Sequence, residues 1–306
     1  MSDLAARYQD LPVSDVLAPL RAALAEAPNA VLAAPPGAGK TTLVPLVLAE
    51  EPWLKGKIIL IEPRRLAARA AARRMASMLG EEVGGTVGYR MRLDTKVSAR
   101  TRIEVVTEGV FTRMALSSPD LEGIDCVIFD EFHERALEAD FGLALALDIQ
   151  SGLREDLRIL VMSATLDTAR VAALLDDCPV IESLGRSHPV DIRHLDRSPG
   201  ERIDVSMTSA IETIHRTETG SILAFLPGQG EIRQVASRLE GRLGPLTDIQ
   251  PLYGGLSSQE QDAAIKPAPE GRRKVVLATP VAESSITIDG VRIVIDSGLV
   301  RQPVYE

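Results

Sequence analysis

Short runs of Val, Ile and Leu alternate along the chain with longer segments in which apolar residues recur at helical spacing. The short runs predict strands at about 30–34, 57–61, 103–106, 125–130, 158–162, 221–226, 247–252, 273–278 and 291–296. Strands that alternate with helices in this way form parallel sheets covered by helices, so the predicted fold class is α/β. Ligands of such sheets bind at the carboxyl ends of the strands.

A change in composition separates two halves of this pattern. The segment Gly185–Gly200 reads GRSHPVDIRHLDRSPG and combines two prolines, two glycines and many charged residues. Such a segment is typical of a junction between domains. We therefore predict an N-terminal extension over residues 1–13, a first domain over 14–184 and a second domain over 185–306.

The overall composition excludes several classes of protein. Apolar residues make up 45% and charged residues 25% of the chain, which is typical of a folded protein rather than a disordered, collagen-like or coiled-coil one. Two cysteines are too few for a disulfide scaffold. No signal peptide and no apolar run near the ~18 residues of a membrane span occur, so we expect a cytoplasmic protein without a membrane partner. The net charge of −9 by itself disfavours a polyanionic partner.

The strongest local motif is APPGAGKTT at residues 34–42, directly after one predicted strand and directly before a helix. Its glycines let successive backbone N–H groups converge on phosphate oxygens, and the helix N-terminus adds partial positive charge. The Lys40 ammonium is placed to reach the β- and γ-phosphates, and the Thr41 hydroxyl to bind Mg²⁺. The predicted nucleotide-binding residues of this loop are Gly37, Ala38, Gly39, Lys40, Thr41 and Thr42. A glycine-rich turn without a ligand is the alternative.

A second motif is an apolar strand that ends in acidic residues, in the segment CVIFDEFHER at 126–135. Buried carboxylates need a cation or hydrogen bonds. Asp130 suits the Mg²⁺ shell, and Glu131 suits a general base that orients the attacking water. Taken alone, such a pair is a solvated turn or a helix cap, and His133 is a surface or core histidine. The phosphate loop in the same half of the chain favours the catalytic interpretation.

Basic residues are concentrated between these two motifs. Residues 64–102 contain ten Arg or Lys and three acidic residues, a local excess of seven. This excess could hold a nucleic-acid backbone in spite of the negative total charge. The alternative is a solvated helix face. Arg64 and Arg65 fit that alternative less well, because they lie at a strand-to-helix turn on the ligand side of the sheet.

The ordered set of motifs resembles the superfamily 2 helicases of the DEAH/RHA type, and within them the bacterial HrpB-type proteins, whose acidic box also reads DEFH. The matching segments are motif I at 34–42, Ia at 62–70 (EPRRLAARA), Ib at 107–109 (TEG), II at 130–133 (DEFH), III at 163–165 (SAT), IV at 222–232, the following segment at 251–261, and V at 278–290. Motifs I and II together are shared by many NTPases, whereas the whole series in this order is specific.

The resemblance implies two RecA-like domains in tandem, which bind ATP with Mg²⁺ and move along single-stranded RNA or DNA. By analogy, the catalytic residues are Lys40, Asp130, Glu131 and His133, and the metal ligands are Thr41, Asp130 and Glu131. The implied nucleic-acid contacts are Arg64, Arg65, Thr107, Gly254, Gly255 and Thr279. Arg74 and Asp289 are further implied nucleotide contacts, and Ser163, Thr165 and His133 would couple nucleotide state to domain closure.

The family continues after motif V into motif VI, a QRxGRxGR segment that supplies arginine fingers to the γ-phosphate. These 306 residues end before such a segment, so we expect a truncated second domain that binds ATP, hydrolyses it weakly and does not unwind duplexes. Two alternatives stay open: a nucleotide-dependent clamp on nucleic acid or protein, and a P-loop transport or signalling ATPase. The sequence does not distinguish RNA from DNA.

Overall fold

The computed structural model describes residues 7–164, 168–185, 189–282 and 288–301. The chain forms two compact units, which divide between residues 188 and 189. This division lies inside the segment where the sequence predicts a domain junction. Both units are α/β with parallel sheets, which confirms the predicted fold class. The exact domain limits of 14–184 and 185–306 stay predictions.

The first unit contains a sheet of eight strands in the order β4-β3-β5-β2-β6-β7-β1-β8. Its strands are β1 (Asn29–Ala33), β2 (Lys57–Glu62), β3 (Val87–Met91), β4 (Asp94–Lys96), β5 (Ile103–Thr107), β6 (Ile124–Phe129), β7 (Arg158–Ser163) and β8 (Val180–Glu182). Its helices are α1 (Leu17–Glu26), α2 (Lys40–Leu48), α3 (Arg65–Met78), α4 (Glu108–Ser117), α5 (Leu137–Gly152) and α6 (Ala169–Leu174), with short 3-10 helices at Pro12–Val16 and Phe132–Glu134. The β3–β4 pair is antiparallel, and the other strand pairs are parallel.

The central strands of the first sheet, β1, β2, β5, β6 and β7, are buried on both faces, which explains why they are mostly apolar. Successive side chains of a strand point to opposite faces. In β1, Ala30 and Leu32 accordingly belong to the core on one face, while Val31 belongs to the core on the other. On the face with Val31, the rings of Phe111 and Phe129 meet edge to face at 5.6 Å between centroids.

The second unit contains a parallel sheet of four strands in the order β10-β11-β9-β12. Its strands are β9 (Ser221–Phe225), β10 (Thr247–Leu252), β11 (Arg273–Ala278) and β12 (Val291–Asp296). Its helices are α7 (Ile203–Thr217), α8 (Gln229–Leu239) and α9 (Ser258–Ile265), with a 3-10 helix at Pro280–Ala282. The core of this unit lies between β9, β11 and the helices α7 and α8. No helix within the described ranges is long and apolar enough to cross a membrane.

All nine predicted strands are confirmed, and each observed boundary lies within one residue of the predicted one. The strands that the pattern missed are β3, β4 and β8. Of these, β3 interrupts its apolar residues with Gly88 and Arg90, β4 is polar throughout, and β8 is three residues long. Strands of this kind owe their formation to the neighbouring strand rather than to their own hydrophobic pattern.

The aromatic contact in the first unit gives a test of how its core is packed. Phe111 is completely buried, so Phe111→Ala removes a ring from a filled space and should lower the free energy of unfolding by about 3–5 kcal/mol. Leu116→Ala on the same helix is the control, because Leu116 is 62% exposed and its loss should cost less than about 0.5 kcal/mol. Urea denaturation measures both, and equal effects would contradict the packing described here.

Candidate functional site

The phosphate loop joins the end of β1 to the start of α2. Gly37 and Gly39 have φ of 75° and 89°, in the left-handed region that favours glycine. The N–H of Ala34 donates to the carbonyl of Ser163 at 2.9 Å, which fixes the start of the loop to β7. The first N–H groups of a helix have no partner within it and carry partial positive charge. The start of α2, at Lys40, therefore suits an anionic phosphate.

The acidic residues lie directly beside this loop, although about ninety residues separate them in the sequence. Asp130 Oδ2 accepts a hydrogen bond from the Thr41 hydroxyl at 2.5 Å. Glu131 Oε1 accepts one from the Lys40 ammonium at 3.1 Å. Asp130 Oδ1 also accepts the backbone N–H of Glu131 at 2.7 Å. Glu131 has φ 49° and ψ 34°, a left-handed conformation that is uncommon for a residue with a side chain. The fold thus brings together Lys40, Thr41, Asp130 and Glu131, which are four of the residues predicted for the nucleotide site.

A third carboxylate at this site was missed by the sequence interpretation. Glu62 is the last residue of β2 and is completely buried. Its two oxygens accept no hydrogen bond from a donor among the described residues, while its protonated form can donate to the carboxylate of Asp130. The signal was present in the sequence, because Glu62 ends an apolar strand just as Asp130 follows one. Because Arg64 and Arg65 follow Glu62 in the same motif, the sequence predicts a nucleic-acid contact there instead.

The electrostatics of the cluster follow from burial and from like charges. Burial, followed by the charges of Asp130 and Glu131, raises the pKa of Glu62 well above its ordinary range. Burial and Asp130 also raise the pKa of Glu131, although Lys40 opposes this. Burial alone lowers the pKa of Lys40, but the surrounding carboxylates outweigh it and the net shift is upward. Even without Glu62, whose raised pKa favours its neutral form, the two carboxylates of Asp130 and Glu131 outnumber the one ammonium of Lys40 and leave a deficit of positive charge.

The donor set of this cluster fits Mg²⁺. A hydroxyl and a carboxylate, from Thr41 and Asp130, are the oxygen donors that Mg²⁺ prefers, and the deficit of positive charge favours a divalent cation. Within the described ranges, no three His, Cys, Asp or Glu side chains are grouped as a cage for a metal ion.

His133 connects the acidic segment to the end of β7. Its Nδ1 accepts the backbone N–H of Ala164 at 3.2 Å. Glu131 Oε2 lies 3.4 Å from the same nitrogen. Because Nδ1 accepts from Ala164, the proton of the neutral ring belongs on Nε2. Ser163, the last residue of β7, is buried. Thr165 lies outside the described residues.

The residues predicted to contact nucleic acid in the first unit follow neighbouring strands. β2 lies between β5 and β6, so Arg64, Arg65 and Thr107 share one region at the carboxyl ends of the strands. Arg64 is 3.4 Å from a carboxylate oxygen of Glu134, which follows the DEFH segment. Arg65 is exposed, and its guanidinium donates to the carbonyl of Arg92 at 3.4 Å. Thr107 is the half-buried last residue of β5.

The other predicted site residues occupy several places. Arg74 lies on an exposed position in the second half of α3. In the second unit, Gly254 and Gly255 are exposed after β10, and Thr279 follows the adjacent strand β11, so these three share the carboxyl ends of the sheet. Asp289 is exposed just before β12 and lies at the amino end of that strand. The residues predicted for nucleic acid are thus separated within this unit from the one predicted for nucleotide.

Comparison with known proteins agrees with this geometry. The sequence model of a family described as "DEAD/DEAH box helicase" matches residues 18–174. The chain belongs to the DEAD/DEAH box helicase family. A second model, described as "Helicase conserved C-terminal domain", matches residues 204–304. Both matches cover the motifs described above, in the same order.

Individual members of this helicase family are also similar to the chain. The ATP-dependent RNA helicase HrpB of Escherichia coli is 54% identical over 286 residues, which are 94% of this chain and 35% of that protein. The ATP-dependent RNA helicase HrpA homolog of Haemophilus influenzae is 34% identical over 97% of this chain and 23% of its own length. A crystal structure of the Escherichia coli DEAH/RHA helicase HrpB matches with a TM-score of 0.89 at 53% identity, over 95% of this chain and 37% of that one. The chain thus spans about a third of the HrpB relatives that it matches.

The buried carboxyl of Glu62 gives a pH-dependent test of the cluster. A raised pKa in the folded state means that folded protein keeps a proton that unfolded protein has lost, so stability falls as pH rises above about 4.5. Gln cannot titrate. In the absence of nucleotide and divalent cations, Glu62→Gln should therefore raise the free energy of unfolding, with a gain that grows as the pH rises above the ordinary glutamate pKa of about 4.5.

Glu104→Gln is the matched control for this measurement. Glu104 is also buried, in the neighbouring strand β5, but its carboxylate pairs with Arg90 at 2.6 Å and with Lys57 at 3.7 Å. Its replacement should lower stability, because it leaves those cations without their partner. Urea denaturation at several pH values measures both variants, and a destabilising Glu62→Gln would refute the electrostatic account.

Proposed function

We propose that this chain is the nucleotide-binding portion of an ATP-dependent helicase or translocase. It would bind ATP with Mg²⁺ and use hydrolysis to move along single-stranded RNA or DNA. The observation that carries the proposal is the convergence of Lys40, Thr41, Asp130 and Glu131 beside a loop that suits phosphates. Family membership supports it, because the matching Escherichia coli protein bears the name of an ATP-dependent RNA helicase.

The contacts of the cluster suggest how its residues divide the work. The loop amides and Lys40 would hold the β- and γ-phosphates, and Thr41 and Asp130 would hold Mg²⁺. When bound, that ion neutralises charge on the phosphates that develops during transfer. Glu131 would orient the attacking water and accept its proton. Its raised pKa suits this role, because a carboxylate with a higher pKa is a stronger base.

The Lys40–Glu131 bond suggests an order of events. In this structure the ammonium donates to the carboxylate that would act as the base. A γ-phosphate would compete for the same ammonium. Binding of ATP would then release Glu131 to face the water, so the base becomes available only when substrate is present. His133, bonded to Ala164, would carry this change toward the segment after β7.

The strand-binding part of the proposal depends on the neighbouring ends of β2 and β5. Arg64, Arg65 and Thr107 lie there, and the local excess of basic residues favours a phosphate backbone as the partner. In the second unit, Gly254, Gly255 and Thr279 would contact the same polymer. Arg74 and Asp289 would contact the nucleotide.

A nucleotide-dependent clamp without helicase activity is the second candidate function. These 306 residues contain no QRxGRxGR segment, and arginine fingers typically contribute about 10³ to 10⁵ in rate. We propose that this stretch by itself binds ATP and hydrolyses it weakly. Strong stimulation of its turnover by single-stranded RNA would favour the helicase over the clamp.

Two substitutions test the nucleotide site. Lys40→Ala should weaken binding of a fluorescent ATP analogue by at least about tenfold, because a buried cation opposite the phosphates is lost. Glu131→Gln should keep binding within a few-fold and abolish the weak hydrolysis, because the amide cannot accept the proton. Titration of the analogue and release of phosphate measure the two effects.

The controls for these variants are Lys55→Ala and Glu122→Gln, which replace exposed residues of the same types. They should leave binding and hydrolysis unchanged. Hydrolysis that survives both Lys40→Ala and Glu131→Gln would exclude the assigned roles.

A further substitution tests the strand-binding region. Arg65→Ala should weaken binding of single-stranded poly(A) RNA and reduce the slope of log affinity against log salt by about 1. Arg170→Ala, an exposed arginine on α6, is the control and should leave both unchanged. The same pair of measurements with single-stranded DNA compares the two polymers. An unchanged salt slope for Arg65→Ala would remove this residue from the interface.

A further inference from the structure

Two residues outside the phosphate loop pack against it from different segments of the chain. The first is Leu11, which precedes the 3-10 helix at Pro12–Val16. A Cβ atom at Gly39 would lie only 2.9 Å from Leu11 Cδ1. The adjacent backbone is bonded to the loop as well, because the N–H of Val13 donates to the carbonyl of Ala38 at 3.0 Å. The segment before α1 thus supports the carboxyl half of the loop.

The second residue is Gly185, which lies after β8. Its φ is 64°, and a Cβ atom there would lie 2.1 Å from Cγ of Pro35, far inside the contact distance of two carbons. The backbone just before it is fixed. The N–H of Ser183 donates to the carbonyl of Ala33 at 2.8 Å, and the Ser183 hydroxyl donates to the carbonyl of Pro12 at 3.2 Å. Gly185 therefore supports the amino half of the loop through the ring of Pro35.

The place of Gly185 in the chain gives this contact further significance. It is the last described residue of the first unit, three residues before the division between the units. The backbone that leaves the first unit toward the second therefore touches the loop that would hold the phosphates. A movement of Pro35 would displace Gly185 directly, because no side chain lies between them.

We propose that Leu11 and Gly185 are positioning residues that hold the phosphate loop between them and so set its affinity for nucleotide. This inference rests on the proposed nucleotide site. Backbone N–H groups bind a phosphate well only when they are held close to the productive geometry. Position 185 requires glycine for two reasons. Its backbone is left-handed, and the ring of Pro35 occupies the place where a Cβ atom would lie.

The principal test is Gly185→Ala in this chain, with Gly80→Ala as a matched control. Gly80 has φ 71° and no neighbouring atom within 4 Å of its built Cβ, so the two variants share the backbone cost and differ in the contact with Pro35. Gly185→Ala should weaken binding of a fluorescent ATP analogue with Mg²⁺ by about tenfold, because the added methyl displaces Pro35. Gly80→Ala should bind like wild type. Melting temperatures show whether both variants remain folded.

A Pro35→Ala background tests whether the effect passes through the ring. Without Cγ and Cδ there is space for the new methyl, so adding Gly185→Ala to Pro35→Ala should cost less than about twofold in affinity. If the affinity losses of Pro35→Ala and Gly185→Ala simply add in the double variant, the proposal is overturned, because the loss caused by Gly185→Ala would then not depend on the ring of Pro35.

Leu11→Ala supplies an independent test if Gly185→Ala does not fold. It should weaken binding of the analogue by several-fold, while Leu79→Ala, another partly buried leucine packed on the same core, should not. Equal affinities for Leu11→Ala and Leu79→Ala, or for Gly185→Ala and Gly80→Ala at similar melting temperatures, would refute the proposal. If wild type binds no nucleotide, the proposed function fails too. If it binds normally but the paired variants are alike, only the positioning roles fail.

Discussion

The structure of the site depends on one buried ammonium group among carboxylates. Lys40 is 3% exposed, donates to Glu131 and lies close to Asp130 and Glu62. Without this cation, the acidic residues would be buried together with no compensating charge. Because Lys40 also starts α2, the same residue joins the phosphate loop to the acidic segment. The left-handed backbone at Glu131 is held in place by these contacts.

The parallel sheet explains how such distant residues meet. Strands β1, β6 and β7 place their carboxyl ends side by side with β2 and β5, so the loops that follow them form one continuous region. Along that region the phosphate loop comes first, followed by the acidic segment and then by Arg64, Arg65 and Thr107. His133 and Glu134 lie between the two ends of this series, each bonded to a different neighbour. Under the proposed function, the nucleotide and the nucleic-acid strand would therefore be bound by adjoining loops of one sheet.

Much of this arrangement could be predicted from the sequence, because it depends on local signals. Apolar runs predicted the nine principal strands, and the order of motifs predicted which loops carry Lys40, Thr41, Asp130 and Glu131. The missed features depend on tertiary packing. The strand β4 is polar and exists because β3 offers it a partner. The contact of Gly185 with Pro35 joins residues 150 positions apart and leaves no periodic or compositional trace. The burial of Glu62 without a donor to its oxygens among the described residues is likewise a property of the folded surroundings rather than of any motif.

The crowding of Glu62, Asp130 and Glu131 has a consequence for how this protein can evolve. Burial beside Asp130 and Glu131 costs free energy, as the raised pKa of Glu62 shows. A substitution that removes one of these carboxylates would stabilise the fold, but it would also remove negative charge that attracts a cation. Stability and cation affinity would therefore oppose each other at this location, and substitutions that gain stability without losing affinity would lie in other parts of the fold.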